Sequence, residues 1–261
     1  MSQVATDSAT LVQSWKSKPS NADDVLLSAA LSSDDNIQEQ ERSREIQANG
    51  HVGHASASRN VSAGSPCPMW KRSIDIVGSI AGLLVLAPFL CAVAVYIKCV
   101  SRGPVLFRQL RYGLDGKPFR VWKFRTIEVN DGLDQHQSHV ADLMASNRPL
   151  QKRDHELEVI PGGALFRNFG VDELPQLINV LIGEMSLVGP RPDVVPYGQY
   201  DGWHRRRFDV LPGITGLWQV CGKNQTTFTE MMCLDAAYVR RRSFWLDVRI
   251  ILLTIPALAW D

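Results

Sequence analysis

The sequence predicts a mainly α-helical α+β fold with one small β-hairpin and a helix that enters a membrane. Three observations carry this prediction. Residues 76–97 form a stretch of 22 residues without a charge, two alternating runs flank Asp115-Gly116, and an apolar helical run follows Asp172-Glu173. The chain has 261 residues and a formal net charge of +1. This length allows one folded domain plus an extension, and the balanced charge gives no support for nucleic-acid binding.

Residues 1–68 are predicted to form a disordered polar tail. They are rich in Ser, Asp, Asn, Gln and Ala and contain few large apolar residues. Such a segment cannot bury enough apolar surface to offset the loss of chain entropy on folding. The tail then serves either as a solubilising tether or as a segment that binds a partner, and the sequence leaves both open.

Residues 69–101 are predicted to form a membrane helix, because their uncharged part is long enough to cross a bilayer. Lys71-Arg72 flank one end and Lys98 flanks the other, so the basic residues give no clear inside–outside asymmetry. Pro88 lies in the middle, where it removes a backbone hydrogen bond and should break or kink the helix. The pattern alone fits two topologies: a re-entrant helix that returns to the same side, and a kinked helix that spans the bilayer.

Residues 102–261 are predicted to form the catalytic domain, which begins with the β-hairpin. Two alternating runs around Asp115-Gly116 are typical of paired antiparallel strands. Four basic residues recur along this hairpin: Arg108, Arg111, Lys123 and Arg125. Each of them either binds an anionic ligand or faces solvent, and the pattern does not decide between the two.

The remainder of this domain is predicted to be mainly helical. Residues 130–160 are polar and are predicted to form a loop with helical parts. Pro212-Gly213 marks a turn into a short strand, and a helical pattern follows over residues 228–242. The last segment, residues 244–260, has too short an uncharged part to span a bilayer. It suits an interfacial amphipathic helix on the membrane, and a buried terminal helix is the alternative.

Asp172 and Glu173 are the candidate catalytic pair, because they stand just before Pro175 at the predicted start of a helix. Neighbouring helical residues point about 100° apart, so the two carboxylates cannot share a proton and should have separate roles. One can attack phosphorus, and the other can hold a divalent ion together with substrate phosphates. The alternative is structural: Asp172 caps the helix, and the helix dipole favours Glu173.

Arg191 lies between Pro190 and Pro192 in a stiff turn that follows this helix. The prolines restrict the backbone on both sides, so the guanidinium is held in one orientation. A guanidinium near an acidic pair that can bind a metal ion suits a sugar-nucleotide diphosphate, because the arginine fork matches phosphate oxygens.

Eight short stretches, taken together, carry a resemblance to a known family. They are KRSID (71–75), GPVLFRQ (103–109), KFRT (123–126), VDELPQL (171–177), NVL (179–181), MSLVGPRP (185–192), PGITG (212–216) and SFWLD (243–247). In this order the chain resembles the polyprenyl-phosphate hexose-1-phosphate transferases. These are the bacterial sugar transferases of the monotopic phosphoglycosyl transferase superfamily, and the single-domain members that initiate exopolysaccharide synthesis look closest.

The resemblance implies an activity and a place in the cell. The substrates are a UDP-sugar, with glucose or galactose as the leading hexoses, and undecaprenyl phosphate. Asp172 falls on the family's nucleophile, which forms a covalent phospho-sugar intermediate and releases UMP, and Glu173 falls on its acidic partner. Mg²⁺, or Mn²⁺ in its place, is the expected cofactor at Asp172 and Glu173. The family's membrane segment is re-entrant with its break at Pro88, which puts the catalytic domain on the cytoplasmic face of the bacterial inner membrane.

The candidate substrate-binding residues share a positive charge or a place in the Pro-Arg-Pro turn. They are Arg191, Pro190, Pro192, Lys123, Arg125 and Arg167. The expected partners are thus the UDP-sugar, the lipid phosphate and the bilayer, with no nucleic acid, and a homo-oligomer stays open.

The chain departs from the family pattern at a few positions. Ala87 replaces a common Ser before the proline, Thr126-Ile127 replaces a common Ser-Met, and Val171 replaces a common Leu. None of these changes touches the acidic pair. The rival hypothesis is a catalytically inactive, membrane-anchored scaffold or regulator of polysaccharide synthesis, and the intact Asp172, Glu173 and Arg191 argue against it.

Overall fold

The computed structural model describes residues 67–127, 159–200, 202–221 and 226–259. All of them belong to one compact unit, Ala63–Asp261. The predicted polar tail, apart from its last two residues, lies outside the described residues. So does nearly all of the predicted loop over 130–160.

The described part is mainly helical with two small sheets, which confirms the predicted class. The α-helices are α1 (Met69–Val100), α2 (Gly163–Asn168), α3 (Leu177–Ile182), α4 (Leu217–Cys221), α5 (Phe228–Arg241) and α6 (Phe244–Ala259). The strands are β1 (Leu106–Tyr112), β2 (Pro118–Phe124), β3 (Ser186–Val188) and β4 (Gly213–Thr215). Longer 3₁₀ helices cover Val171–Gln176 and Gly202–Asp209, and short ones cover Leu114–Gly116 and Tyr197–Gln199.

Helix α1 is the one described helix that is long and apolar enough to cross a membrane. Its 32 residues correspond to about 48 Å at 1.5 Å per residue. The helix continues through Pro88. Its buried residues recur every three or four positions near its two ends, and they are Lys71, Asp75, Ser79, Val93 and Ile97. One stripe of the helix therefore faces the rest of the unit, while apolar residues on the other faces, such as Leu84 and Val85, are exposed.

A buried ion pair holds the first turn of α1. Lys71 Nζ lies 2.6 Å from Asp247 Oδ2 in α6 and donates to the Val188 carbonyl of β3 at 2.9 Å. The Tyr238 hydroxyl of α5 donates to the other Asp247 oxygen at 2.9 Å. Charged groups are buried only where they are paired and hydrogen-bonded, and both conditions hold here. Three helices and a strand therefore meet at this pair.

Two further polar side chains of α1 fix its orientation. The Asp75 carboxylate accepts hydrogen bonds from the Ser186 hydroxyl and the Leu187 N–H, each at 2.9 Å. Arg72 donates to the carbonyls of Val180 and Leu181 at 2.7 and 2.8 Å. These carbonyls are at the end of α3, where a short helix leaves backbone acceptors without intrahelical partners. Helix α1 is therefore joined to β3 and α3.

The predicted hairpin is confirmed. Strands β1 and β2 pair antiparallel, and the tight turn places Asp115 and Gly116 at positive φ (56° and 68°). The register pairs Arg111 with Phe119. Residues opposite each other on paired strands point to the same face, and so do residues separated by an even number of positions on one strand. Lys123 is four positions after Phe119, so Arg111 shares one face of the hairpin with Lys123. Both of these side chains are buried.

Asn179 of α3 docks this hairpin. Its side-chain oxygen accepts from the Trp122 N–H at 2.9 Å, and its amide nitrogen donates to the Arg120 carbonyl at 2.8 Å. The fully buried amide thus makes the backbone hydrogen bonds that a neighbouring strand would make with β2. This contact brings β2, and Lys123 with it, against the segment that carries Asp172 and Glu173.

The second sheet is the short parallel pair β3–β4, with Ser186 opposite Gly213. The strand predicted after Pro212-Gly213 is confirmed as β4. Its pairing with β3 is close, since a Cβ on Gly213 would lie 2.1 Å from the Gly189 nitrogen. Only glycine permits this approach. The pair directs the chain from β3 into the turn that carries Arg191.

Candidate active site

The acidic pair lies in a 3₁₀ helix and not at the start of an α-helix. This segment, Val171–Gln176, follows Gly170 at φ 65° and contains Pro175. The Glu173 N–H donates to the Gly170 carbonyl, the three-residue spacing of a 3₁₀ turn. The expected helix start at Asp172 and Glu173 is therefore present, but its first six residues form a 3₁₀ helix, and the α-helix α3 begins only at Leu177. The two carboxylates still point in different directions, about 120° apart at three residues per turn.

Glu173 is clamped by two cations. Its Oε1 accepts from Lys123 Nζ at 2.8 Å, and its Oε2 accepts from Arg191 Nη1 at 2.9 Å. A second contact joins Arg191 Nη2 to Oε1. Burial alone would raise the pKa of Glu173, but Arg191 and Lys123 hold this pKa well below its ordinary value. Glu173 is therefore a permanent anion that fixes the two cations.

Asp172 has the opposite environment. Its side chain is 91 % buried, yet it makes no hydrogen bond or ion pair with the part of the chain that the structure describes. Burial raises the pKa of Asp172, Lys123 lowers it, and the Glu173 charge raises it further. A carboxylate whose lone pairs are free is available for a reacting atom or a metal ion, whereas the lone pairs of Glu173 are already engaged.

A small open pocket lies beside Glu173. Its wall includes Arg111, Lys123, Glu173, Gln176, Arg191 and Pro192. Three of these residues are cations and one is an anion, so the pocket carries a net positive charge. Positive, partly buried walls of this kind attract anionic ligands such as phosphates. Asp172 is not one of the residues that line this pocket, but it lies near enough to Lys123 and Arg191 for both to lower its pKa. The pocket and the Asp172 carboxylate together form the candidate active site.

Comparison with known proteins agrees with this geometry. A family model described as "Bacterial sugar transferase" matches residues 67–261. The chain belongs to this family. The match covers all the residues of the candidate active site and confirms the resemblance seen in the sequence motifs.

Several characterised relatives are similar to this member of the family. A UDP-glucose:undecaprenyl-phosphate glucose-1-phosphate transferase of Klebsiella pneumoniae is 40% identical over 196 residues, which are 72% of this chain and 39% of the relative. The galactosyl transferase CpsE of Streptococcus agalactiae is 40% identical over 71% of this chain and 41% of the relative. The chain thus spans about two fifths of these two proteins. A transferase of Caulobacter vibrioides with the same name as the Klebsiella protein is 36% identical over 79% of this chain and 78% of its own length.

The structure brings most of the predicted substrate-binding residues together. Arg191, Pro192 and Lys123 line the pocket. The carbonyl of buried Pro190 accepts from the Gly213 N–H at 2.8 Å, so this proline joins the turn to β4. Arg167, in α2, lies close enough to lower the pKa of Asp172.

Arg125 is placed elsewhere. Its buried guanidinium donates to the carbonyls of Arg102 and Ser101 at 2.8 and 3.2 Å. These carbonyls follow the last turn of α1, where cationic groups complement the helix dipole. The structure therefore gives Arg125 a contact with the end of the membrane helix and does not bring it to the pocket.

Sequence reasoning missed Arg207, which holds the backbone of Arg191. Arg207 Nη2 donates to the Arg191 carbonyl at 2.8 Å, and Nη1 donates to Asp193 Oδ2 at 2.9 Å. Asp193 also accepts from the Tyr200 hydroxyl and the Val194 N–H. The signal was present as Arg205-Arg206-Arg207, but an unbroken basic run does not reveal which member turns inward.

Arg207 is shared by two buried carboxylates. Asp235 Oδ2 lies 3.1 Å from Arg207 Nη2, but neither Asp235 oxygen has a hydrogen-bond partner in the described part of the chain. Burial tends to raise the pKa of Asp193, but Arg207 and the Tyr200 hydroxyl hold it below its ordinary value. Burial raises the pKa of Asp235 to about 7, against the opposing effect of Arg207. One guanidinium thus keeps Asp193 ionised, and Asp235 takes up the proton.

This arrangement predicts a pH-dependent contribution of Asp235 to stability. Between pH of about 4 and about 7 the folded state binds the Asp235 proton more tightly than the unfolded state, so stability falls as pH rises through this window. The full effect is on the order of 4 kcal/mol for a shift of this size. Asp235→Asn should remove this contribution, so the melting temperature should no longer depend on pH between pH 5 and pH 8. The melting temperature is measured by thermal unfolding in detergent. Asp115→Asn, in the hairpin turn, is the control and should keep the wild-type profile. A wild-type slope in Asp235→Asn would contradict the assignment.

Proposed function

We propose that this protein transfers hexose-1-phosphate from a UDP-sugar to undecaprenyl phosphate and releases UMP, as the first membrane step of exopolysaccharide synthesis. The observation that carries the proposal is the buried carboxylate of Asp172, which has no hydrogen bond with the described residues and lies near the cations Lys123 and Arg191 of the pocket wall. The names of the relatives support the substrates. Glucose is the hexose of the Klebsiella and Caulobacter proteins, and galactose that of the Streptococcus protein.

The proposed reaction has two displacements at one phosphorus atom. In the first, an Asp172 oxygen attacks the phosphorus that bears the sugar, and the bond from this phosphorus to the bridging oxygen breaks. UMP leaves with the bridging oxygen and its electron pair, and an aspartyl phospho-sugar remains. In the second, a phosphate oxygen of undecaprenyl phosphate attacks the same phosphorus, and the Asp172 carboxylate is restored. No proton is gained or lost overall.

The residues around Asp172 fit such a reaction. Lys123 and Arg191 place positive charge where the diphosphate and the departing UMP need it, and Glu173 keeps both in position before substrate arrives. Burial makes these charges more effective than they would be in water. Arg207 fixes the Arg191 backbone, so the guanidinium has little freedom to lose on binding.

The first prediction of this proposal concerns Asp172. Asp172→Asn keeps the shape of the side chain but removes the nucleophile, so UMP release should fall by several orders of magnitude. Wild-type protein incubated with UDP-glucose or UDP-galactose alone should gain the mass of a phospho-hexose, and peptide mapping should place it on Asp172. Asp209→Asn, an exposed carboxylate outside the pocket, should turn over normally. Near-normal turnover by Asp172→Asn, or an adduct on Glu173, would reject the assignment.

We also propose that Mg²⁺, or Mn²⁺ in its place, binds with the substrate. Asp172 offers a free oxygen, whereas Glu173 can become a ligand only if Arg191 or Lys123 releases it. The described residues contain no group of three or more His, Cys, Asp or Glu side chains that could hold a metal ion. One carboxylate plus substrate phosphates and water nevertheless meets the preference of Mg²⁺. The ion would neutralise part of the diphosphate charge.

Metal removal tests this part of the proposal. Excess EDTA should abolish UMP release, and added Mg²⁺ or Mn²⁺ should restore it, because the Asp172 carboxylate repels a diphosphate unless a cation lies between them. UMP release is followed by chromatography, with a UDP-sugar and undecaprenyl phosphate as substrates. Full turnover in excess chelator would show that the protein's own cations support UMP release without a metal ion and would reject this part of the proposal.

We propose a re-entrant topology for α1, with the catalytic domain on the cytoplasmic face of the bacterial inner membrane. The contacts at its two ends support this. Lys71 and Asp75 are joined to α6 and β3 near the start, while Val93 and Ile97 pack against Phe124 near the end. A helix that crossed a hydrocarbon core of about 30 Å would carry its ends to opposite sides.

Helix α6 fits the same membrane surface. Its Asp247 is bound to Lys71, so α6 begins beside the start of α1. Trp245, Leu252 and Ile255 project from α6 with at least 63 % of their surface exposed. A helix with one buried side and one exposed apolar side suits an interface between water and lipid. We therefore place α6 in the membrane interface.

Thiol labelling in intact cells tests the topology. In a cysteine-free variant, Ser58→Cys and Lys117→Cys mark the chain before and after α1, and both should be protected from an impermeant maleimide. Pro88→Leu restores the backbone hydrogen bond that the proline removes and should favour an α1 that crosses the bilayer, so part of the population should become labelled at one of the two sites. Permeabilised cells, in which both sites should react, provide the control. Labelling of only one site without the Pro88 change would establish a spanning helix.

A further inference from the structure

Arg111 is a buried cation of the pocket wall. The residue is only 7 % exposed, and its side chain lines the pocket and donates to the Gln109 side-chain oxygen at 2.8 Å. No Asp or Glu of the described residues forms an ion pair with it. Arginine is almost never buried without a partner, because removing its charge from water is costly. The missing partner is therefore a feature that needs an explanation.

The neighbouring carboxylates are engaged by other groups. Glu173 accepts from both Lys123 and Arg191. Asp193 is held by Arg207 and Tyr200. Arg111 is thus the surplus charge of the pocket wall, and burial together with the nearby Arg191 lowers its pKa to about 10. The charges of Asp193 and Glu173 act in the opposite direction on Arg111, but both carboxylates are hydrogen-bonded to other cations, so a further anion in the pocket would relieve the repulsion between Arg111 and Arg191.

We propose that Arg111 is a phosphate-binding residue, which contacts a substrate phosphate in the pocket that it lines together with Arg191 and Lys123. The assignment rests on the proposed function and adds a residue to its binding site. Strand β1 supplies a rigid support, and the register of the hairpin puts Arg111 on the same face as Lys123. The Gln109 contact holds one edge of the guanidinium and leaves other N–H groups for ligand oxygens. A planar fork of this kind matches two oxygens of one phosphate.

The phosphate could belong to the sugar nucleotide or to the polyprenyl lipid, and binding measurements separate the two. The probes are UDP and uridine, titrated by calorimetry into the full-length protein in nanodiscs. Arg111→Gln should weaken UDP binding about 10- to 100-fold, the range expected for hydrogen bonds to a charged group, and leave uridine binding unchanged. The UDP affinity of Arg111→Lys should lie between those of the wild type and Arg111→Gln, because an ammonium keeps the charge but not the planar fork of the guanidinium.

Arg108→Gln is the matched control. Arg108 lies on the same strand, but its side chain is exposed and stacks over Trp122 at 3.8 Å from the ring centre. This variant should bind UDP like the wild type. A second arm follows transfer from the preformed phospho-sugar adduct to undecaprenyl phosphate. A slower transfer in Arg111→Gln with unchanged UDP affinity would assign Arg111 to the lipid phosphate.

The outcomes that overturn the proposal are equally definite. If UDP binding and lipid transfer in Arg111→Gln both match the wild type, Arg111 binds no phosphate. Parallel losses of UDP and uridine affinity would show general distortion and would also reject the role. If Arg111→Gln does not fold, Arg111→Lys decides the question, since wild-type UDP affinity there excludes a bidentate contact. UDP binding needs no turnover. A protein that binds UDP through Arg111 but releases no UMP would therefore refute the proposed function and leave the phosphate-binding role of Arg111 intact.

Discussion

The rest of the structure depends on one buried ion pair, between Lys71 and Asp247. It joins the first turn of the membrane helix to α6, and Lys71 also donates to the carbonyl of Val188 in β3. Buried pairs of this kind gain little net stability, because desolvation offsets attraction, but losing one partner costs about 3–5 kcal/mol. Their value is that only one arrangement satisfies both charges. Arg191 stands three residues after Val188. The ion pair therefore also fixes the position of the backbone at which the turn that lines the pocket begins.

Two neighbouring carboxylates acquire different properties from their surroundings. Both are buried, and burial raises the pKa of each. The difference comes from direction, because the 3₁₀ turn points Glu173 towards the hairpin and the turn after β3, where Lys123 and Arg191 are. Asp172 points elsewhere and keeps its oxygens free. A single turn of backbone thus provides one anion that organises the cations and one that is available for reaction.

Local patterns in the sequence were sufficient for several elements. The Asp115-Gly116 turn predicted the hairpin because few residues accept positive φ. Helical periodicity predicted α5, and a capping box between Thr227 and Glu230 fixes the start of this helix. Glu173 and Arg191 were found from their places before Pro175 and between two prolines, and Lys123 was found among the basic residues that recur along the hairpin. The turn at Val171–Gln176 was taken for an α-helix, because Pro175 is equally at home in either kind of first turn.

What the sequence did not reveal consists of long-range contacts. Arg125 and Lys123 are two residues apart on one strand, and nothing local tells that one reaches the end of α1 and the other Glu173. Arg207 and Asp235 are 28 positions apart and belong to no periodic pattern. Such pairs depend on how elements pack, which propensity and periodicity do not encode.

The bond from Arg72 to α3 connects the membrane to the chemistry. Helix α3 follows the acidic turn directly, and its last carbonyls are held by Arg72 of α1. Its Asn179, in turn, holds the strand that carries Lys123. In the proposed reaction one substrate comes from water and one from a bilayer, so Asp172 must stay at a constant depth relative to the lipid. Helix α3 is only six residues long and is held at its C-terminal end by α1, so in the proposed topology the position of Asp172 follows that of α1.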